Sequence, residues 1–140
     1  MLKLEGHVEF LGSLTAEQMR DRYLSSSLFV CPSTIENSPN SLGEAMLLGV
    51  PCVSAETGGI TSIFVGGEDG ILYPGYRTDD ANPGGKRQAE TLAQAVIEMW
   101  SHAERREKYC QSAAEHASAT HNREENYRRM LEIYEDITNA

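Results

Sequence analysis

Short apolar runs alternate with amphipathic stretches along the first half of the chain. HVEFLG (7–12) predicts a strand ended by a glycine turn. SLFVCPS (27–33) is an apolar run stopped by Pro32 and predicts a buried strand; PCVSAE (51–56) and GILYP (70–74) predict two more. Helical signals lie between them. In LTAEQM (14–19), Thr15 is placed to cap a helix, Gln18 to reach back to it and Leu14 to pack on Met19, and that helix runs to about Ser25. SLGEAMLLG (41–49) predicts a short helix with Leu42, Ala45 and Met46 on one face and Gly49 at its end. After TGG (57–59), a turn, ITSIFVGG (60–67) predicts one or two helical turns.

The second half is patterned differently. Residues 75–86 are rich in Gly, Pro, Asp and Asn and predict a mobile surface loop. Three helices are expected over about 87–138. Leu92, Ala95, Val96 and Met99 form the stripe of the first, with Trp100 beside it. AERREKYCQSAAEHASA (103–119) forms the second, and Tyr127, Met130, Leu131, Tyr134 and Ile137 the stripe of the third. Strands alternating with helices predict an α/β fold, Rossmann-like, with a mainly parallel sheet flanked by helices. In such sheets ligands bind at the carboxyl ends of the strands.

The 140 residues suit one domain with a real core. The formal net charge of −9 argues against a nucleic-acid backbone as partner. ERREK (104–108) and YRRM (127–130) mix bases with acids and read as solvated helix faces. Cys31 and Cys52 lie in apolar runs and read as buried, reduced thiols; with Cys110 they share no metal-like spacing, and a cytoplasmic protein is expected. His7, His102, His116 and His121 do not cluster, so no metal is assigned. The opening residues are too acidic, and too short in apolar run, for a signal peptide, and no segment approaches a membrane span.

The candidate chemistry sits in TIENSPNSLGE (34–44), a strand-to-helix loop carrying Glu36 and Glu44. The first amides of the following helix have no internal partner, and the helix dipole adds positive potential there, which suits a diphosphate. Two carboxylates would repel that group unless they reach past it to hydroxyls on either side. A nucleoside diphosphate sugar offers that arrangement, ribose at one end and sugar at the other. A plainer reading stands beside this one: Ser41 and Glu44 have the spacing of a capping box, Glu36 reads as a solvated loop acid, Gly58-Gly59 as a turn and Ser33 as a strand-end polar group.

FVCPSTIENSPNSLGEAMLLGVPCVSAETGG (29–59) with GEDGILYP (67–74) resembles the carboxyl-terminal, donor-binding domain of retaining GT-B glycosyltransferases of the group 1, family 4 type. Pro-Ser, Glu36, seven residues, Glu44-Ala45-Met46, Gly49-Val50-Pro51, Gly58-Gly59 and the run from Gly67 to Tyr73 follow the family's order, and residues 8–33 match the part before them. The resemblance implies that Glu36 contacts the transferred sugar and acts catalytically. It implies that Glu44 holds the ribose, that backbone around Ser38, Pro39, Asn40 and Ser41 cradles the diphosphate with Leu42 close by, and that Gly12, Ser13 and Leu14 lie near the base. It implies transfer of a sugar from a nucleotide diphosphate to a hydroxyl acceptor with retained configuration, same-face attack being the favoured scheme, and no metal.

The chain departs from that pattern in four ways. Pro39 removes one amide from the cradle. Thr61-Ser62 stand where the family often has Pro-Glu. The family's amino-terminal acceptor domain is absent. So are the first two strands of this domain, which bring half of an Arg–Lys pair for the diphosphate. The whole chain, 1–140, is therefore expected to be one partial GT-B domain, inactive alone, from a cytoplasmic parent enzyme peripheral at the inner membrane face. Its exposed sheet edge is expected to be covered, either by VEFLG moving in to pair with SLFVCPS or by a second chain in a dimer. Two other readings remain open on the sequence: a non-catalytic interaction module with a degenerate GT-B fold, and a fragment of a nucleotide-sugar epimerase.

Overall fold

A computed structural model describes residues 4–75 and 86–139. Along the chain run α1 (Ala16–Ser25), β1 (Phe29–Cys31), α2 (Asn40–Leu47), β2 (Cys52–Glu56), a 3₁₀ turn (Gly58–Ser62), β3 (Gly70–Pro74), α3 (Lys86–Ser101), α4 (Ala103–Thr120) and α5 (Arg123–Thr138). The strands form one parallel sheet in the order β1-β2-β3, with Cys31 opposite Ser54 and Ser54 opposite Leu72. Parallel pairing puts all three carboxyl ends on one side, where the loop 32–39, the 3₁₀ turn and Gly75 gather.

Alternation along the strands sorts the core into two layers. Cys31, Cys52 and Leu72 face α1, α2, the 3₁₀ turn and α4, and pack with Tyr23, Leu42, Met46, Ile60, Phe64, Ala113 and Ala117. Val53, Ala55, Ile71 and Tyr73 face α3, where Ala95 and Met99 are buried and Leu92 packs beside them. The expected faces of α2 and α3 are the faces used, and Leu42, Ala45 and Met46 are wholly enclosed. Helix α1 begins in a full capping box: Thr15 accepts from the Gln18 amide and Gln18 from the Thr15 amide. Gly49, at φ 67°, ends α2 in the left-handed conformation that a side chain disfavours. All three cysteines are free thiols.

The structure corrects four expectations. Residues 8–12 form no strand and do not pair with β1; Val8 and Phe10 are exposed, at 53% and 95%. A strand holds its shape through a neighbour's hydrogen bonds, and this segment has none. The strand predicted over 27–33 shrinks to Phe29–Cys31 because Pro32 cannot continue the ladder. The Gly58-Gly59 turn is the opening of the 3₁₀ helix. The α5 stripe forms on schedule but covers no core: Tyr127, Met130, Leu131, Tyr134 and Ile137 are all exposed. Trp100 is exposed too, with the Arg106 guanidinium 5.8 Å above its ring. The expected loop over 75–86 lies, apart from its two ends, outside the described residues. No helix among the described residues is long and apolar enough to cross a membrane.

Candidate functional site

Helix α2 opens at Asn40 with Pro39 as its N-cap residue, and no side chain caps it. The Pro39 carbonyl accepts from the amides of Leu42 and Gly43, at 3.0 and 3.3 Å. The amides of Asn40 and Ser41 have no carbonyl one turn earlier to receive them and so face outward from the helix end. Ser41 therefore sits inside the helix, and the capping-box reading of Ser41 and Glu44 fails: a cap must stand at the boundary, and Pro39 occupies it. Released from that task, the Glu44 carboxylate is turned toward α1. Its Oε2 accepts a hydrogen bond from the Tyr23 hydroxyl at 3.2 Å, which also lies 3.2 Å from the Ser41 carbonyl oxygen.

Glu44 and Tyr23 form part of the wall of an open hollow of ≈ 360 Å³, completed by Leu14, Thr15, Ala16, Met19, Arg20 and Leu48. Its lining mixes apolar residues, Leu14, Ala16, Met19 and Leu48, with Thr15, Arg20, Tyr23 and Glu44. The Arg20 guanidinium is half-exposed and bonds Asp21 at 2.8 Å. Tyr23 is almost fully buried against Phe29, ring centroids 5.7 Å apart in an edge-on contact. Burial first, then the Glu44 charge and the hydrogen bond to it, push the Tyr23 hydroxyl up to about 12.

Glu36 is held differently. Its Oε1 accepts from the Ser33 hydroxyl at 2.7 Å, and its backbone carbonyl accepts from the Gly59 amide at 2.9 Å. A Cβ on Gly58 would overlap the Glu36 carbonyl oxygen, and one on Gly59 the carbonyl oxygen of Asn37. Both glycines are required by the close approach of two chain segments, which a turn alone would not demand. Ser33, in turn, is a hydrogen-bond partner of the acid, where the sequence offered only a strand-end polar group.

The expected site residues thus fall into two groups. Leu14 and Glu44 share the hollow. Asn40 and Ser41 stand at the helix end near Glu44, with Leu42 and Pro39 buried behind them. Glu36 and Ser38 lie on the loop that crosses the carboxyl ends of the strands, and Glu36 is not part of the hollow's wall. Gly12 takes φ 65° and Ser13 is exposed, both just outside it. Among the described residues, no three of His, Cys, Asp and Glu come together as a metal-ligand set.

Two partners escaped the sequence reading. Tyr23 is the sole aromatic of α1, one turn after Met19, a cue with no chemistry until α2 is placed against it. Asp69, buried at 2%, accepts from the Val65 amide (2.8 Å), from Ser112 (3.2 Å) and, at 2.6 Å, pairs with His116 Nδ1. It ties the turn before β3 to α4, at the end of the sheet away from Glu36.

The family model of the glycosyl transferases group 1 matches residues 1–102. The chain belongs to this family. The D-inositol 3-phosphate glycosyltransferase of Rhodococcus erythropolis is 34% identical over 79 residues, 56% of this chain and 18% of that enzyme. The corresponding enzyme of Nocardiopsis dassonvillei is 29% identical over 125 residues, 89% of this chain and 26% of its own length. The chain therefore spans about a quarter or less of the length of these curated relatives. Among solved structures, sucrose-phosphate synthase from Thermosynechococcus elongatus superposes over 97% of the chain and 31% of its own with a TM-score of 0.79 at 24% identity, which establishes the shared fold. Anabaena HepE in complex with UDP superposes over 83% of this chain and 29% of its own, with a TM-score of 0.69 at 25% identity. The fold is that of a GT-B carboxyl-terminal domain, and family membership favours neither the interaction-module nor the epimerase reading.

Proposed function

We propose that this chain is the donor-binding part of a retaining glycosyltransferase that moves a sugar from a nucleoside diphosphate to a hydroxyl acceptor. The observation that carries the reading is the placement of Glu44. It leaves helix capping to Pro39 and stands on the wall of a hollow, one helical turn after Asn40 and Ser41, whose amides no side chain caps. A carboxylate there accepts the two vicinal hydroxyls of a ribose, while the helix end meets the diphosphate. Leu14 and its neighbours Gly12 and Ser13 border the base. Glu36, on the far side of the diphosphate cradle formed by Ser38, Pro39, Asn40, Ser41 and Leu42, is the residue that reaches the transferred sugar.

The bound UDP in the Anabaena HepE structure supports a uridine nucleotide as the first donor to try. The developing charge on the leaving diphosphate is met by backbone amides and the helix dipole, so the reading calls for no metal. An acceptor domain belongs to the rest of a longer protein, and the outer edge of β1, which no strand among the described residues pairs with, is where a further strand of that protein or a second copy adds. The enzyme would then act in the cytoplasm.

Titration calorimetry of the folded chain with UDP, ADP and GDP tests the reading. Binding of one of them, weakened by Glu44→Gln, is the expected result; no heat from any of the three overturns it.

A further inference from the structure

The Tyr23 hydroxyl is the only side-chain group among the described residues that hydrogen-bonds Glu44. Its ring cannot move far: it is buried at 5% exposure, packed edge-on against Phe29, and carried on a helix closed by its own capping box. The hydroxyl also lies against the Ser41 carbonyl, so it touches the opening turn of α2 and the acid one turn later. A glutamate on a helix surface has three rotatable bonds and samples many positions. The one phenolic proton lies 3.2 Å from both the Ser41 carbonyl oxygen and Glu44 Oε2, and its share on Oε2 favours the rotamer that keeps the carboxylate on the wall of the hollow.

We infer that Tyr23 is a positioning residue, which through its hydrogen bond to Glu44 Oε2 pre-orients that carboxylate to accept the vicinal hydroxyls of a nucleotide ribose. The inference rests on the functional reading above and deepens it. A carboxylate has about four acceptor sites, so Oε2 takes the phenol and a ribose hydroxyl together and Oε1 takes the second hydroxyl. The phenol suits this task because it is a donor that stays neutral. Burial and the adjacent negative charge both oppose its ionisation, so the donated proton persists across the physiological range. The arrangement predicts selectivity for ribose over its deoxy forms. Pre-orientation helps a ligand only through the hydroxyls that Glu44 receives.

The test compares the full chain with Tyr23→Phe, Glu44→Gln and the double variant. Calorimetry uses whichever of UDP, ADP and GDP binds, and the 2′,3′-dideoxy form of the same nucleotide. Tyr23→Phe keeps the ring and its packing on Phe29. It is expected to keep the melting temperature and to weaken the ribonucleotide about fivefold to tenfold, the range of one ordinary hydrogen bond, as suits a proton shared with the Ser41 carbonyl. The dideoxy nucleotide, already weak, is expected to be unaffected, and the double variant to bind no worse than Glu44→Gln alone. Equal loss for both nucleotides, unchanged ribonucleotide affinity, or a Tyr23→Phe chain that no longer folds would each make the hydroxyl a structural group only and overturn the inference. Absence of binding by the unaltered chain would instead remove the functional reading on which it rests.

Discussion

The Gly59 amide donates to the carbonyl oxygen of Glu36 at 2.9 Å, joining the loop after β1 to the turn after β2. That bond fixes the backbone of the proposed sugar-contacting acid from a neighbouring crossover. The two segments pass so closely that neither Gly58 nor Gly59 has room for a methyl group.

A first expectation follows for Gly59→Ala. The new Cβ meets backbone, which cannot rotate away, so the loop bearing Glu36 and Asn37 must shift. Overpacking of this kind costs about 1–3 kcal/mol. Urea denaturation should record a loss in that range with an unchanged m-value. A stability equal to the parent's would mean that the two loops do not meet.

The buried Asp69 gives a second. Asp69→Ala strands the Val65 amide and removes the partner of Ser112 and His116. Loss of a buried, multiply bonded carboxylate should cost about 3–5 kcal/mol. His116→Ala leaves the other two bonds in place, and its side chain is one-third exposed, so its effect should be smaller. A double-mutant cycle between the two should return a coupling of about 0.5–3 kcal/mol. Strict additivity would place the pair out of contact in solution.

A third concerns alkaline pH. Burial and the Glu44 charge push the Tyr23 hydroxyl up to about 12 in the folded chain, against the ordinary 10.0 of an exposed tyrosine when unfolded. A raised folded value means that the native state holds the proton more tightly. Its contribution to stability is complete below about pH 10 and is lost as pH climbs toward 12. The difference in phenolate absorbance between the parent and Tyr23→Phe should show one late-titrating tyrosine. Tyr73 is raised as well, by burial first, so the Tyr23→Phe subtraction is what isolates the signal. A difference curve centred near 10 would contradict the buried contact with Glu44.

The capping box of α1 supplies a fourth. Thr15→Ala leaves the Gln18 amide without its acceptor and should cost about 1 kcal/mol. Because Leu14, Thr15 and Ala16 line the hollow, fraying there should also weaken nucleotide binding. Thermal melts and calorimetry on the same sample would separate the two effects, and a Thr15→Ser control should restore both.

By itself the sequence determined the elements whose signals are local. The Thr15–Gln18 box, the Leu42–Ala45–Met46 face, the Gly49 stop and the alternation of strand with helix all follow from periodicity and end chemistry within a few residues. The acids at 36 and 44 stand out in the sequence because the loop between them is small, polar and next to a helix start, but only Glu44 lines the hollow. Tertiary structure decided the rest, since it depended on what each segment lies against. Val8 to Gly12 has strand composition and no neighbour to pair with, and the α5 stripe has helical spacing and no core to cover. Glu44 has capping-box spacing, but the boundary belongs to Pro39, and only the approach of Tyr23 from α1 aims its carboxylate. Hydrogen bonds and buried contacts between distant segments have no local period, so they leave no pattern to read until the chain has folded.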